Sequence, residues 1–269
     1  LTGRSNMCDA HYSTGPLLFD GTTRLHKGEE RIHHMGKVAC FAQEAVVPES
    51  GCVTIPDDVG FPQAAYIGCC VTTGGGGAIY GAKVTPGSSV AVVGCGGVGL
   101  NVLQGARLAG ATRIIAVDTD DGKLEFASRF GATHFVNPSN GDPVAAIKEL
   151  TDNLGADFTF EAFGAAETIE TAYKSSKKGG TTVIIGLSPI GQDPVINPVE
   201  LVRFEKTLKG SFYGSARPRV DFNVMVDLYH SGQIDLDTLE GKHYTLDQIN
   251  EAYADLEAGL PGRGVITEF

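Results

Sequence analysis

Val90-Ala91-Val92-Val93-Gly94-Cys95-Gly96-Gly97-Val98-Gly99 is an apolar run, then a glycine-rich turn, then the start of a helical pattern. The apolar run is short and bounded by turns, as a parallel strand buried on both faces should be. Gly94, Gly96 and Gly99 spell G-x-G-x-x-G. That motif is weak alone, but here it follows a strand and opens a helix, the context that gives it meaning. Gly94 makes the tight turn. Gly96 lets the backbone approach a pyrophosphate, and Gly99 allows close helix–strand packing. Gly97 and Val98 lie between them, where the helix N-terminus faces the anion.

The chain downstream supports the same reading. A helical stretch from Val98 to Ala109 ends at Gly110, and Ile114-Ile115-Ala116-Val117 is the next strand. A helix from about 122 to 130 closes at Gly131, a C-cap glycine. His134–Val136, a helix from about 143 to 154, and strands at 158–163, 181–185 and 207–212 follow. Apolar runs alternating with helices are the texture of a doubly wound parallel sheet, an α/β fold of Rossmann type. Two amphipathic helices near 218–231 and 245–258 end the chain. Upstream, residues 1–60 are irregular, with short antiparallel strands expected at 38–47 and 52–55.

Asp118 ends the second strand, 19 residues after Gly99. A carboxylate there can accept both ribose hydroxyls of an adenosine. It would repel a 2′-phosphate, and Thr119, Asp120 and Asp121 offer no arginine clamp. NAD is therefore expected over NADP. Lys123 is placed to reach the same ribose.

Composition excludes other classes. The 269 residues are 42% hydrophobic and 20% charged, as in a globular chain of one or two domains. Lys and Arg number 21 against 32 Asp and Glu, a net charge of −11. This argues against nucleic acid and anionic membranes as partners. No apolar run is long enough to span a bilayer. Glycine, at 36 of 269 residues, is in excess but has no collagen period. The six cysteines are scattered, which suggests reduced thiols in a cytoplasmic protein. No signal-peptide pattern is visible, and the first residue, in a turn-like segment, suggests a piece missing before it.

Tyr173-x-x-x-Lys177 matches the catalytic pair of short-chain dehydrogenases. Those enzymes use a different glycine turn, and their tyrosine lies much further beyond it than the 79 residues from Gly94 to Tyr173. The pair reads instead as a helix residue and a surface charge.

Other segments carry a resemblance over essentially the whole chain. They are Thr2-Gly3-Arg4-Ser5-Asn6-Met7-Cys8, Ile67-Gly68-Cys69-Cys70-Val71-Thr72-Thr73-Gly74, Phe130-Gly131-Ala132-Thr133 and Arg263-Gly264-Val265-Ile266. With the glycine turn and Asp118, they make the chain similar to the zinc-dependent medium-chain alcohol dehydrogenases. Glu205 to Ser211 and Tyr213 to Ala216 resemble the bacterial members. The resemblance implies that Cys69 is a thiolate ligand of a catalytic zinc, and Cys8 the last of four ligands of a structural zinc. It implies that Thr73 and Val98 pack on the nicotinamide and that Arg263 contacts the pyrophosphate. Without it, Cys69 reads as a small buried hydrophobe and Arg263 as a surface charge.

The resemblance divides the chain into three parts. Residues 1–70 are a remnant of a GroES-like β-barrel catalytic domain. Residues 71–212 are an NAD-binding Rossmann domain, and 213–269 return to the catalytic domain. It places the other catalytic-zinc ligands and three structural-zinc cysteines before residue 1. Zinc needs three or four protein ligands, which Cys69 or Cys8 alone cannot supply. Adjacent pairs such as His33-His34 or Cys69-Cys70 point to opposite faces and cannot readily share a metal. Gly74 to Gly77 should weaken their helix by roughly 1 kcal/mol each.

The implied activity is hydride transfer between a zinc-bound alcohol or aldehyde and NAD, in a homo-oligomer. One alternative is a thiol-dependent, S-hydroxymethyl-glutathione type of formaldehyde dehydrogenase, though Tyr12 stands where that branch carries an arginine. The other is a non-catalytic NAD-binding fragment.

Overall fold

The computed structural model describes residues 3–11 and 13–269; Tyr12, and with it the reading attached to that position, lies outside them. Its centre is a six-stranded sheet of β3 (Ser89–Val93), β4 (Arg113–Val117), β5 (His134–Val136), β6 (Ala156–Glu161), β7 (Ser176–Ile184) and β8 (Thr207–Gly210). All five pairings are parallel, in the order β5-β4-β3-β6-β7-β8. Counted from β3 as first, this is 3-2-1-4-5-6, the doubly wound order, and the chain reverses direction between β3 and β6.

Alternation along the central strands divides the core in two. Val90, Val92, Ile114 and Ala116 belong to one cluster, while Ala91, Val93, Ile115 and Val117 belong to another. Successive side chains of a strand point to opposite faces, so these are the two faces of one sheet. Helices α3 (Gly97–Leu108) and α4 (Asp121–Ala127) cover the first through Leu100, Leu103 and Leu124. Helices α5 (Pro143–Glu149) and α6 (Ala166–Ser175) cover the second through Ile147 and Ala172. Asp120 and Asp142 cap α4 and α5 by accepting backbone N–H bonds, as Ncap acids do. Gly110 and Gly131 sit at φ +85° and +103° and end their helices as expected.

Residues 61–82 form a helical stretch built of α1 (Phe61–Tyr66), a π turn (Ile67–Val71), α2 (Thr72–Gly76) and a second π turn (Gly77–Ala82). Its glycines form a close-approach surface. A Cβ at Gly74 would stand 2.3 Å from the Val98 carbonyl of α3, and one at Gly76 would stand 2.7 Å from the Gly214 carbonyl.

Several boundaries differ from the sequence reading. Residues 38–47 and 52–55 form no strands; the antiparallel pair is β1 (Leu25–Lys27) with β2 (Glu30–Ile32). Residues 240–245 are a strand, β9 (Glu240–Thr245), paired in parallel with β10 (Arg263–Glu268). The helices beside it are α8 (Pro218–His230) and α9 (Ile249–Glu257), and α7 (Pro198–Arg203) precedes β8. Among the described residues these two small ladders stand where the partial barrel was expected. No helix among the described residues is long and apolar enough to cross a membrane.

Candidate dinucleotide site

The glycine turn lies at the carboxyl end of β3, beside the reversal point where open α/β sheets bind ligands. Gly94 has φ +97°, a conformation L side chains rarely adopt. A Cβ there would press on Phe163 and Ala162 at 3.1–3.2 Å. A Cβ at Gly99 would overlap the Gly94 carbonyl at 1.8 Å, so Gly99 is what lets α3 meet the turn. Gly96 differs from both. It is the extended N-cap of α3, exposed, and nothing stands within 4 Å of its Cβ position. The backbone is thus open at the N-cap of α3, where the unpaired N–H groups of a helix's first turn can receive an anion.

Arg263 arrives from the far end of the chain. Its Cδ stands 2.9 Å from where a Gly97 Cβ would be, so its side chain lies against the turn. Its backbone is held there from both sides. The Arg263 N–H donates to Leu239 O at 2.8 Å, and the Tyr66 hydroxyl donates to Arg263 O at 3.0 Å. The Arg263 stem is therefore held against Gly97 at the start of α3, with the residue half-buried.

Asp118 lies on the opposite flank, half-buried at the end of β4. Its Oδ2 accepts the Cys95 N–H at 2.8 Å and its Oδ1 the Asp120 N–H at 3.2 Å. It therefore ties the glycine turn to the next strand and keeps further lone pairs for a ligand. Lys123 reaches toward the C-terminal segment. A Cβ on Gly259 would stand 2.6 Å from its Nζ. Thr73 and Val98 are both half-buried, and Gly74, next to Thr73, lies against the Val98 carbonyl.

Cys69 is exposed and Cys70 buried, which corrects the reading of Cys69 as a small buried hydrophobe. The two lie on a π turn, where consecutive side chains point in different directions, and Cys70 faces the core, where burial pushes its thiol up to about 11. π turns recur at functional sites. The Tyr213 hydroxyl donates to Gly68 O beside Cys69, and burial pushes that phenol up to about 12. Tyr213, Gly214 and Ser215 all have positive φ, so this turn carries backbone strain. The sequence marked Tyr213 only as part of a segment that resembles the bacterial members, with no role of its own.

Cys8 is exposed, and among the described residues no three His, Cys, Asp or Glu side chains converge to hold a metal. His33 is exposed and His34 buried, as expected of neighbours on opposite faces. Lys177 is not a free surface charge. It lies on β7 and pairs with Asp157, so it does not serve the Tyr173 hydroxyl, which donates to Asn197 O at 3.4 Å. The short-chain dehydrogenase pair is absent.

Comparison with known proteins agrees with this geometry. Residues 97–231 match the family described as zinc-binding dehydrogenase. The alcohol dehydrogenase class-3 of Cereibacter sphaeroides is 38% identical over 99% of this chain and 73% of its own length. The S-(hydroxymethyl)glutathione dehydrogenase of Paracoccus denitrificans is 39% identical with the same coverage. A solved alcohol dehydrogenase zinc-binding domain protein from Burkholderia ambifaria superposes with a TM-score of 0.90 at 29% identity, covering 99% of this chain and 73% of that one. A zinc-binding dehydrogenase from Sinorhizobium meliloti, solved with NADP, gives 0.78 at 30% identity, covering 98% and 71%. The parallel sheet, the glycine turn and these relatives together show that this chain belongs to the zinc-dependent medium-chain alcohol dehydrogenase family, NAD(P)-using oxidoreductases.

Proposed function

We propose that residues 71–212 form the dinucleotide-binding unit, that 1–70 and 213–269 belong to a catalytic unit, and that NAD(H) lies across the carboxyl edge of the sheet. The adenosine ribose rests on Asp118 with Lys123 nearby. The pyrophosphate lies over Gly96 and Gly97 beside Arg263, and the nicotinamide faces Thr73 and Val98. The observation that carries this reading is the open backbone at Gly96 with Arg263 against the next residue, Gly97. The chemistry is transfer of a hydride from the carbon of a small alcohol to the nicotinamide, leaving an aldehyde and a proton. This chain's share is to bind and orient the cofactor.

Zinc, where bound in the family, polarises the alcohol oxygen. The described residues offer Cys69 as one donor, and Cys8 stands alone elsewhere. That donor set does not make a zinc site. The relatives named as S-(hydroxymethyl)glutathione dehydrogenases favour a second reading, oxidation of a thiol adduct of formaldehyde. The six free cysteines support a reducing, cytoplasmic setting. Exposed Ile190, Val195, Val199 and Val202, in the segment leading to edge strand β8, support a homo-oligomer, checked by light scattering.

The test is to titrate NADH and to count zinc by atomic emission after dialysis against a chelator. Bound NADH without retained zinc is expected. Stoichiometric zinc would mean the ligands are misplaced, with His33 or His34 the first suspects. Turnover of formaldehyde only with glutathione present would favour the thiol adduct over simple alcohols.

A further inference from the structure

Glu161 is the last residue of β6, across the reversal point from Asp118, and is completely buried. Its Oε1 accepts the Phe163 N–H at 3.0 Å, the Gly164 N–H at 2.6 Å and the Thr168 hydroxyl at 2.7 Å. Its main-chain oxygen accepts the Ile185 and Gly186 N–H groups at 2.8 and 3.1 Å. Oε2 is buried with no partner. It lies 2.5 Å from where a Gly186 Cβ would be, and the Gly164 nitrogen lies 2.4 Å from that point. Gly164 in turn has φ +101°, and its Cβ position is 2.7–2.9 Å from the backbone of Leu187. The carboxylate thus ties down the segment after β6 and packs beside Gly186, while the main-chain oxygen of the same residue holds the segment after β7. The segment after β6 is also tied to the turn after β3, through Ala162 N–H to Val93 O at 2.9 Å and the Phe163–Gly94 contact.

At the mouth of this interlock stand Phe163 and Leu187, 71% and 85% exposed. The doubly wound sheet holds one half of a dinucleotide on each side of the reversal point. With the adenosine ribose on β4 and the pyrophosphate over β3, the nicotinamide half falls on the β6–β7 side. We propose that Glu161 is a positioning residue for the nicotinamide half of the dinucleotide, holding residues 162–164 and 185–187 as the wall against which it lies. The proposal rests on the dinucleotide reading above. A neutral side chain would not do the same. Three donors converge on one oxygen, which suits an anion. An amide in its place turns either its N–H groups toward those donors or a donor toward the partnerless position of Oε2.

The test compares two ligands that divide the site: NADH, which spans both halves, and 5′-AMP, which fills only the adenosine half. In Glu161→Gln the NADH dissociation constant should rise about tenfold, the size of one lost charge-assisted hydrogen bond. The AMP constant should stay within about twofold. Thr168→Val removes one donor while leaving the carboxylate, and should show the same asymmetry on a smaller scale. It decides the matter if Glu161→Gln fails to fold. Equal weakening of both ligands would make Glu161 merely structural and overturn the proposal, as would no change in either. A wild-type chain that binds neither ligand would overturn the dinucleotide reading and the proposal with it.

Discussion

Gly96 carries more of the functional reading than any other single residue, because its demands are separable. Its φ of −75° and ψ of −174° suit any side chain, and nothing stands near its Cβ position. Gly96→Val should therefore leave the thermal midpoint nearly unchanged. It should weaken NADH binding by about 1–3 kcal/mol or more, the cost of crowding a close contact. Unchanged affinity would mean that the turn faces something else. Gly99 makes the opposite case, since its missing Cβ is required by the fold itself. The sequence distinguished these roles because a tight turn and its helix are local. It could not show that Arg263 lies against Gly97 or that Glu161 gathers three donors. Those partnerships join residues far apart in the chain. Glu161 did leave a trace: like Asp118, it is an acid closing an apolar strand, followed shortly by a glycine.

At the scale of elements, the glycine-rich helix of residues 72–82 is the feature that propensity alone misjudges. Each glycine costs backbone entropy, yet the run persists because α3 and the strained 213–215 turn approach it too closely for side chains. Neighbouring glycines should then respond with opposite signs. A Cβ on Gly75 would meet only Met225 and Asn101 at ordinary contact, 3.7–3.9 Å. Gly75→Ala should stabilise by about 0.5–1 kcal/mol. Gly76→Ala, driven against the Gly214 backbone, should destabilise by about 1–3 kcal/mol. Urea unfolding of both variants checks this, and shifts of the same sign would contradict it. The six strands were legible because buried parallel strands are short apolar runs. The irregular segment before residue 60 was not, since its strands are three residues long and mostly exposed.

For the whole molecule, one electrostatic tie joins the central strands. Asp157 on β6 accepts the Ser89 N–H and hydroxyl of β3 at 2.8 and 2.6 Å and pairs with Lys177 of β7. Burial pushes its carboxyl up, but the hydrogen bonds from Lys177 and Ser89 together outweigh this and hold it below the ordinary carboxylate value. A depressed pKa gives stability that is full above the unfolded value and lost as pH falls through the folded one. The midpoint difference between wild type and Asp157→Asn should be widest near neutrality and close below about pH 4. A constant difference would contradict the tie. The central claim concerns the sheet as a whole: its carboxyl edge binds NAD(H), with Asp118 choosing between the two cofactors. Its most direct test is calorimetric titration of NADH and NADPH, at matched salt, into the wild-type chain and Asp118→Ser. One NADH per chain, bound more tightly than NADPH, is predicted. The serine variant should narrow that preference by about 1–3 kcal/mol. Failure to bind NADH, or NADPH bound equally or more tightly by the wild type, would contradict the account.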